Sequence, residues 1–280
     1  MLRKLVDDKV SLAGALILLA LVLGGLLVSV VTETSPTAAD LPNRYKPPFW
    51  QVGGSTDHLL GTDSLGRDVL IRLLYGARIS LTVGVVAALI SMAVGVPLGM
   101  FAGYFGGVLD SVIMRIGDVQ LGFPTILLYI SALTVIQPGL WNMIVILGIA
   151  GWVVHARVIR AQVLAQRRME YVEAARTVGS GTPTILIRHI LPNVLAPTIV
   201  ITSFSVATFI ITASSLSFLG LGLPPSTPDW GLMIADAVKY IRVAWWPSTF
   251  AGIALSLTVF GVNVLGDWLR DYLDPRLRLG

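Results

Sequence analysis

Long apolar runs separated by short polar stretches organise this chain. The first run, 10–31, is about 20 residues long, enough to cross a hydrocarbon core about 30 Å thick. Five more runs near 79–101, 112–136, 140–156, 193–219 and 247–268 have the same character, so the pattern predicts an all-α polytopic membrane protein with about six transmembrane helices. Arg3, Lys4 and Lys9 precede the first run and no A-x-A cleavage pattern follows it, which favours a retained anchor over a signal peptide. Between the first two runs, 32–76 carries Pro36, Pro42, Pro47, Pro48, Gly53, Gly54 and Gly61. It is too polar to span and too rich in proline for one helix, so it lies outside the membrane. The stretch 157–192 is polar with a helical pattern, and 220–246 is Pro-rich, then amphipathic around Ile234, Val238 and Ile241. The chain thus divides into an anchor (1–31), an extracytoplasmic segment (32–76) and a core (77–280) whose loop 157–192 is the longest inward-facing one.

Composition sharpens this picture. Of 280 residues, 55% are hydrophobic and 13% charged, about half the charged share of a soluble domain. Mean hydropathy is +0.79. Absence of cysteine excludes disulfides and thiolate metal sites, and His58, His155 and His189 are too scattered to suggest a metal centre. The net charge of +4 is no argument for nucleic acid; its placement says more. With the N-terminus inside, cytoplasmic segments hold 13 Lys and Arg residues, among them Arg115, Arg157, Arg160, Arg167, Arg168, Arg176, Arg188, Arg276 and Arg278, against 7 outside. Both termini are expected in the cytoplasm, with Trp245 and Trp246 in an outer interfacial belt.

Within the inward loop, Tyr171, Ala174, Ala175 and Val178 fall at i, i+3, i+4 and i+7, one face of a helix, with Glu170, Glu173 and Arg176 off that face. Gly179, Gly181 and Pro183 break this helix. Thr182 is placed to cap a second short one with Pro183 in its first turn, and Leu191-Pro192 leads into the next span. A helix-break-helix bracket beneath the membrane results. It can seat in a groove of a soluble partner, or rest on lipid headgroups as an interfacial amphipathic helix.

Glu173-Ala174-Ala175, then Gly179, then Leu191-Pro192, resembles the EAA loop of importer permeases of the ATP-binding-cassette class. One departure is His189, three before Pro192, where isoleucine is usual. Gly61-Thr62-Asp63-Ser64-Leu65-Gly66-Arg67-Asp68, Tyr75-Gly76-Ala77-Arg78-Ile79-Ser80-Leu81, Ser217-Phe218-Leu219-Gly220-Leu221-Gly222, Pro224-Pro225, Trp230-Gly231 and Asp271-Tyr272-Leu273-Asp274-Pro275-Arg276 resemble the second permease subunit of dipeptide, oligopeptide and nickel importers. The resemblance runs from about residue 57 to the C-terminus.

It implies a type I importer permease fold in a prokaryotic inner membrane, and a coupling helix, carried by Tyr171, Glu173, Ala174, Ala175, Gly179, Leu191 and Pro192, that docks on an ATPase. Also implied are a second homologous permease, two ATP-binding subunits that hold ATP and Mg, and an extracytoplasmic substrate-binding protein met near Gly61, Asp63, Gly66, Arg67, Asp68 and Trp230. No cofactor is expected in this chain itself. Substrate remains open between peptides, glutathione and nickel.

Several features point elsewhere and fail. Gly61 to Gly66 has P-loop spacing, but Arg67 and Asp68 stand where lysine and Ser or Thr belong; an Asp- and Gly-rich turn is the alternative. No nucleophile–base or metal motif supports an enzyme, and nearly acid-free spans argue against an ion-driven secondary transporter. Asp118 near Arg115 suggests a local ion pair rather than a gating charge. His155 beside Arg157 reads as an interfacial residue at the inner end of its span. Thr198, Thr202, Ser205, Thr208, Thr212 and Ser215 fall on an arc of roughly 140°. This stripe reads either as the lining of a translocation path, carried by Ser205, Thr208, Thr212 and Ser215, or as a small-residue packing seam.

Overall fold

Residues 8–32 and 34–273 are described by the computed structural model of the protein. Five helices among them are long and apolar enough to cross a membrane: α1 (Lys9–Val31), α2 (Val69–Phe105), the unit Leu140–Gln166, α8 (Thr182–Phe218) and α10 (Trp246–Leu273). Between α2 and the 140–166 unit lie α3 (Gly107–Leu121) and α4 (Thr125–Val135), bent by 87° against each other. The 140–166 unit comprises α5 (Leu140–Ala150) and α6 (Trp152–Gln166), with a turn at Gly151. Two shorter helices, α7 (Glu170–Thr177) and α9 (Trp230–Val238), complete the order. Arg3, Lys4, Arg276, Arg278 and the Asp274-Pro275-Arg276 ending lie outside the described residues.

The expected third span is a broken helix pair, not one continuous helix. Pro124 has no N–H to donate and disfavours helical geometry at Phe123, so the run over 112–136 breaks after Gly122 into α3 and α4. Two spans are longer than their apolar cores. Asp68 caps α2, accepting from the Ile71 amide at 3.0 Å, so the helix begins about three turns before residue 79. The fourth span continues to Gln166 because alternating Arg and apolar residues keep a helical pattern past the lipid-facing run.

Membrane helices gain little from hydrophobic burial against one another and associate through close packing. On α2, Gly95, Gly99 and Gly103 face α6: a Cβ would lie 2.6 Å from the His155 Cβ, 2.4 Å from the Ala156 carbonyl oxygen and 2.8 Å from the Arg160 carbonyl oxygen, respectively. One glycine per helical turn thus brings the α6 backbone against α2. Higher on α2, Gly84 admits Ile210 of α8. A core of Val83, Ala87, Met143, Ile144, Leu147, Phe209 and Leu216 joins α2, α5 and α8.

The segment before α2 is built around Asp63. Its carboxylate accepts from the Leu65 and Arg67 amides (2.9 and 3.0 Å), from Arg67 Nε (2.7 Å) and from Arg72 Nη1 (3.1 Å). Trp246 Nε1 donates to the Thr62 carbonyl at 2.9 Å, tying the segment to α10, and Trp230 Nε1 donates to the Leu73 carbonyl at 3.0 Å, tying α9 to the first turns of α2. Gly66, at φ +76°, sits where a Cβ would strike the Asp40 carbonyl at 1.8 Å.

Three substitutions test this packing. Gly99→Val should destabilise the detergent-solubilised protein by about 1–3 kcal/mol, the usual cost of overpacking, lowering the midpoint of thermal unfolding. Gly252→Ala, with no atom within 4 Å of its Cβ, should leave that midpoint level or slightly raised. Asp63→Asn strips a buried carboxylate from two guanidinium groups and should cost about 3 kcal/mol in the same measurement.

Candidate coupling interface

The expected helix-break-helix bracket is built from α6, α7 and the start of α8. Helix α7 ends as its sequence dictates. Gly179 adopts φ +81°, and the Ser180 amide donates to the Ala175 carbonyl at 3.0 Å while the Gly179 amide donates to Arg176 at 2.9 Å. This is a left-handed terminus that a residue with a Cβ adopts only under strain. Beyond it, Gly181 occupies the position before the second helix and no side chain caps it, so Thr182 is a first-turn residue rather than the expected cap. Pro183 falls in that first turn as expected.

Residues 185–190 form a π-turn, with the Leu191 amide reaching back to the Leu186 carbonyl. Pro192 follows, lacking a donor of its own, and Asn193 Nδ2 donates to the His189 carbonyl at 2.6 Å. The chain then runs on without a break to Phe218, so Leu191-Pro192 joins the bracket to α8 directly.

The expected smooth face is corrected in one respect. Val172 and Ala175 are buried, packed with Ile159 and Val163 of α6, Met100 of α2, and Ile185, Ile190 and Val194 of α8. Ala175 therefore points inward. Tyr171, Glu173, Ala174 and Val178 stay exposed, Val178 at 80% and Tyr171 at 39%. The apolar positions of an eight-residue helix surround more than one side, and only the neighbours decide which side turns in.

Polar contacts fix the bracket further. Tyr171 donates its hydroxyl to Gln166 Oε1 (2.5 Å) and accepts from Asn193 Nδ2 (3.3 Å), linking α6, α7 and α8. The Arg167 guanidinium donates to the carbonyls of Gly103 and Tyr104 (2.9 and 3.1 Å), serving the otherwise unpaired C-terminal end of α2. The Arg176 guanidinium lies 5.4 Å from the centre of the Tyr104 ring. Sequence reasoning missed Val172, Arg167 and Tyr104, because their partners come from elsewhere in the chain. The run of Arg and Gln after His155 was the one available signal.

Other expected positions resolve as follows. Asp118 pairs with Arg157 at 2.5 Å, not with Arg115, and Asp110 takes a two-point contact from Arg160; α3 is thereby stapled to α6 across the chain. The extracytoplasmic set does not form an open surface. Gly61, Asp63, Gly66, Arg67 and Trp230 are buried, and Asp68 caps α2 while contacting His58 Nδ1 at 2.9 Å. Their side chains hold the turn together and are not presented outward. Asp229 caps α9 through the Leu232 amide; burial pushes its carboxyl pKa up, with backbone N–H bonds pulling against it.

The Ser/Thr stripe divides. Ser205 and Thr208 border a cavity of about 310 Å³ shared with Gln120, Tyr129 and Phe204. Ser215 borders a second of about 320 Å³ near Gly231 and Ile234. Thr212 borders neither. All four hydroxyls donate to carbonyls one turn back on their own helix, at 2.8–3.2 Å. Thr198 is buried and belongs to the packing seam.

A family model described as "Binding-protein-dependent transport system inner membrane component" matches residues 95–279. The dipeptide transport system permease protein DppC of Bacillus subtilis (strain 168) is 43% identical over 277 residues, 99% of this chain and 85% of that one. The di/tripeptide transport system permease protein DppC of Pseudomonas aeruginosa (strain UCBPP-PA14) is 39% identical, over 97% of this chain and 89% of its own length. The oligopeptide transport system permease protein OppC of Bacillus subtilis is 37% identical over 97% and 87%. Among solved structures, the MetNI methionine ABC transporter in its inward-facing form shares the fold, with a TM-score of 0.60 at 18% identity over 72% of this chain and 96% of that one. Kinship over nearly the full length, joined to a bundle of the same fold, makes this chain a multi-pass member of the binding-protein-dependent transport system inner membrane component family, of the DppC and OppC permease kind.

Proposed function

We propose that this chain forms one half of the membrane path of an ATP-binding-cassette importer for short peptides, and that α7 is its coupling helix. One observation carries the coupling role. The inner side of α7 is fixed by Val172 and Ala175 to both flanking spans, while Glu173, Ala174 and Val178 on its other sides are bare. A push on the exposed side reaches α6 and α8 together, since the bracket has no slack between them. Ala174 lets a partner surface come close, and Glu173 offers it a charge.

The remaining parts follow from that role. Two ATP-binding subunits in the cytoplasm hold ATP and Mg, and their closure displaces the bracket. A homologous permease completes the path as a heterodimer, and a substrate-binding protein delivers cargo on the opposite face. Both termini and the 157–192 loop lie on the cytoplasmic side, with 1–31 as anchor and 32–76 outside. Differential contact of the ATPases with α7 in their open and closed states is required, since a partner that binds both states equally shifts nothing. Peptide as substrate is supported by the names of relatives 37–43% identical over almost the whole chain.

Two experiments in proteoliposomes check this reading. In the assembled importer, Glu173→Arg and Gly179→Val should each cut peptide uptake at least tenfold and abolish stimulation of ATP hydrolysis by the loaded binding protein, while membrane insertion is unchanged. Uptake and stimulation that survive both substitutions refute the coupling assignment. The isolated chain should neither hydrolyse ATP nor take up peptide; activity of the lone subunit would refute the importer assignment altogether.

A further inference from the structure

A single imidazole joins three spans in the apolar interior. Extension of the fourth span to Gln166 moves His155 from its expected interfacial place to near the middle of a 27-residue helix, where it is fully buried. Its Nδ1 lies 2.9 Å from Ser91 Oγ on α2, and its Nε2 lies 3.2 Å from Thr202 Oγ1 on α8. Thr202 has one hydroxyl proton, and it points to the Thr198 carbonyl at 2.7 Å. The Thr202 oxygen is therefore left to accept, so His155 Nε2 carries the hydrogen. Nδ1 then holds a lone pair and accepts from the Ser91 hydroxyl. A neutral ring in one tautomer satisfies both contacts.

We propose that Ser91, His155 and Thr202 form a latch that holds α6 and α8 in one register, with His155 as the positioning residue through which displacement of the bracket moves both spans together. The latch rests on the coupling role of α7, because α6 enters the bracket and α8 leaves it. Two features hold the ring in place. A Cβ on Gly95 would lie 2.6 Å from the His155 Cβ, and one on Gly151 would lie 2.8 Å from Ser91 Oγ. The α2 backbone thus closes on the His155 Cβ, and the backbone at Gly151 closes on Ser91 Oγ. The ring is fully buried, so drawing its Nε2–H away from Thr202 costs a buried polar group its partner there. His155 gives the middle of the α2, α6 and α8 interface its directional contacts.

The chain has only three histidines, which makes the tautomer directly readable. In the ¹⁵N-histidine-labelled full chain, with His155 assigned by its loss in His155→Gln, imidazole nitrogen shifts should report a neutral ring protonated at Nε2. Protonation at Nδ1 would overturn the latch whatever the role of α7. In the assembled importer with radiolabelled dialanine, His155→Leu should lower dialanine transported per ATP about tenfold, with ATP hydrolysis within about twofold of the parent. Thr202→Val, close to isosteric, should lower the same ratio and serves if His155→Leu does not assemble. His155→Gln, which keeps a donor and an acceptor, should restore at least half of it. A general loss of stability would lower both activities and leave the ratio alone, so an unchanged ratio overturns the transmission role. A ratio that falls in these variants while Glu173→Arg leaves transport intact keeps the latch and refutes α7 as the point where force enters.

Discussion

Contact between the backbones of α2 and α6 is the constraint from which the rest of the architecture follows. Lipid offers helices little net gain from burying apolar side chains, so adhesion comes from proximity and from satisfied polar groups. With glycine at 95, 99 and 103, α6 lies against α2 with no α2 side chain between them at those levels. That seam places His155 beside Ser91, carries Arg167 to the end of α2, and delivers Ile159 and Val163 to the bracket. A looser seam would leave each of these contacts out of reach.

The bracket is anchored on both sides by side chains of different character. Val172 and Ala175 supply apolar contact, and Tyr171 bridges Gln166 and Asn193 by hydrogen bonds. Apolar contact alone permits sliding, whereas a hydroxyl between two amides fixes distance and direction together. The two ends of the bracket are therefore held to one another. At the opposite end, Asp63 binds two arginines and two amides, so the turn before α2 is as firmly built as the bracket.

Legibility in the sequence divided along physical lines. Spans were visible because lipid selects for apolar runs of fixed length, and the break after α7 was visible because Gly179 and Pro183 act on their own backbone. The bend between α3 and α4 was missed although Pro124 was in plain view; hydropathy averages over a proline that local geometry cannot ignore. Pairing of Asp118 with Arg157 instead of Arg115 was beyond reach, since it depends on how α3 lies against α6. The same holds for Ala175, because periodicity identifies an apolar side and only tertiary neighbours choose its direction. His155 lies inside the fold and not at its edge: Arg157 and Arg160 made the span look finished, whereas their charges are met by Asp118 and Asp110 and the helix runs on to Gln166.

The π-turn at 185–190 has a consequence for rotation about the helix axis. A π-turn holds one residue more than the α-helical path it replaces, and each residue of an α-helix advances about 100°. The wider winding absorbs that surplus, so the start of α8 keeps nearly the azimuth that one fewer α-helical residue would give it. Winding all six residues as ordinary α-helix would instead rotate the start of α8 by about a quarter turn, turning Ile185 and Leu186 out of the cluster they share with Val172 and Ala175.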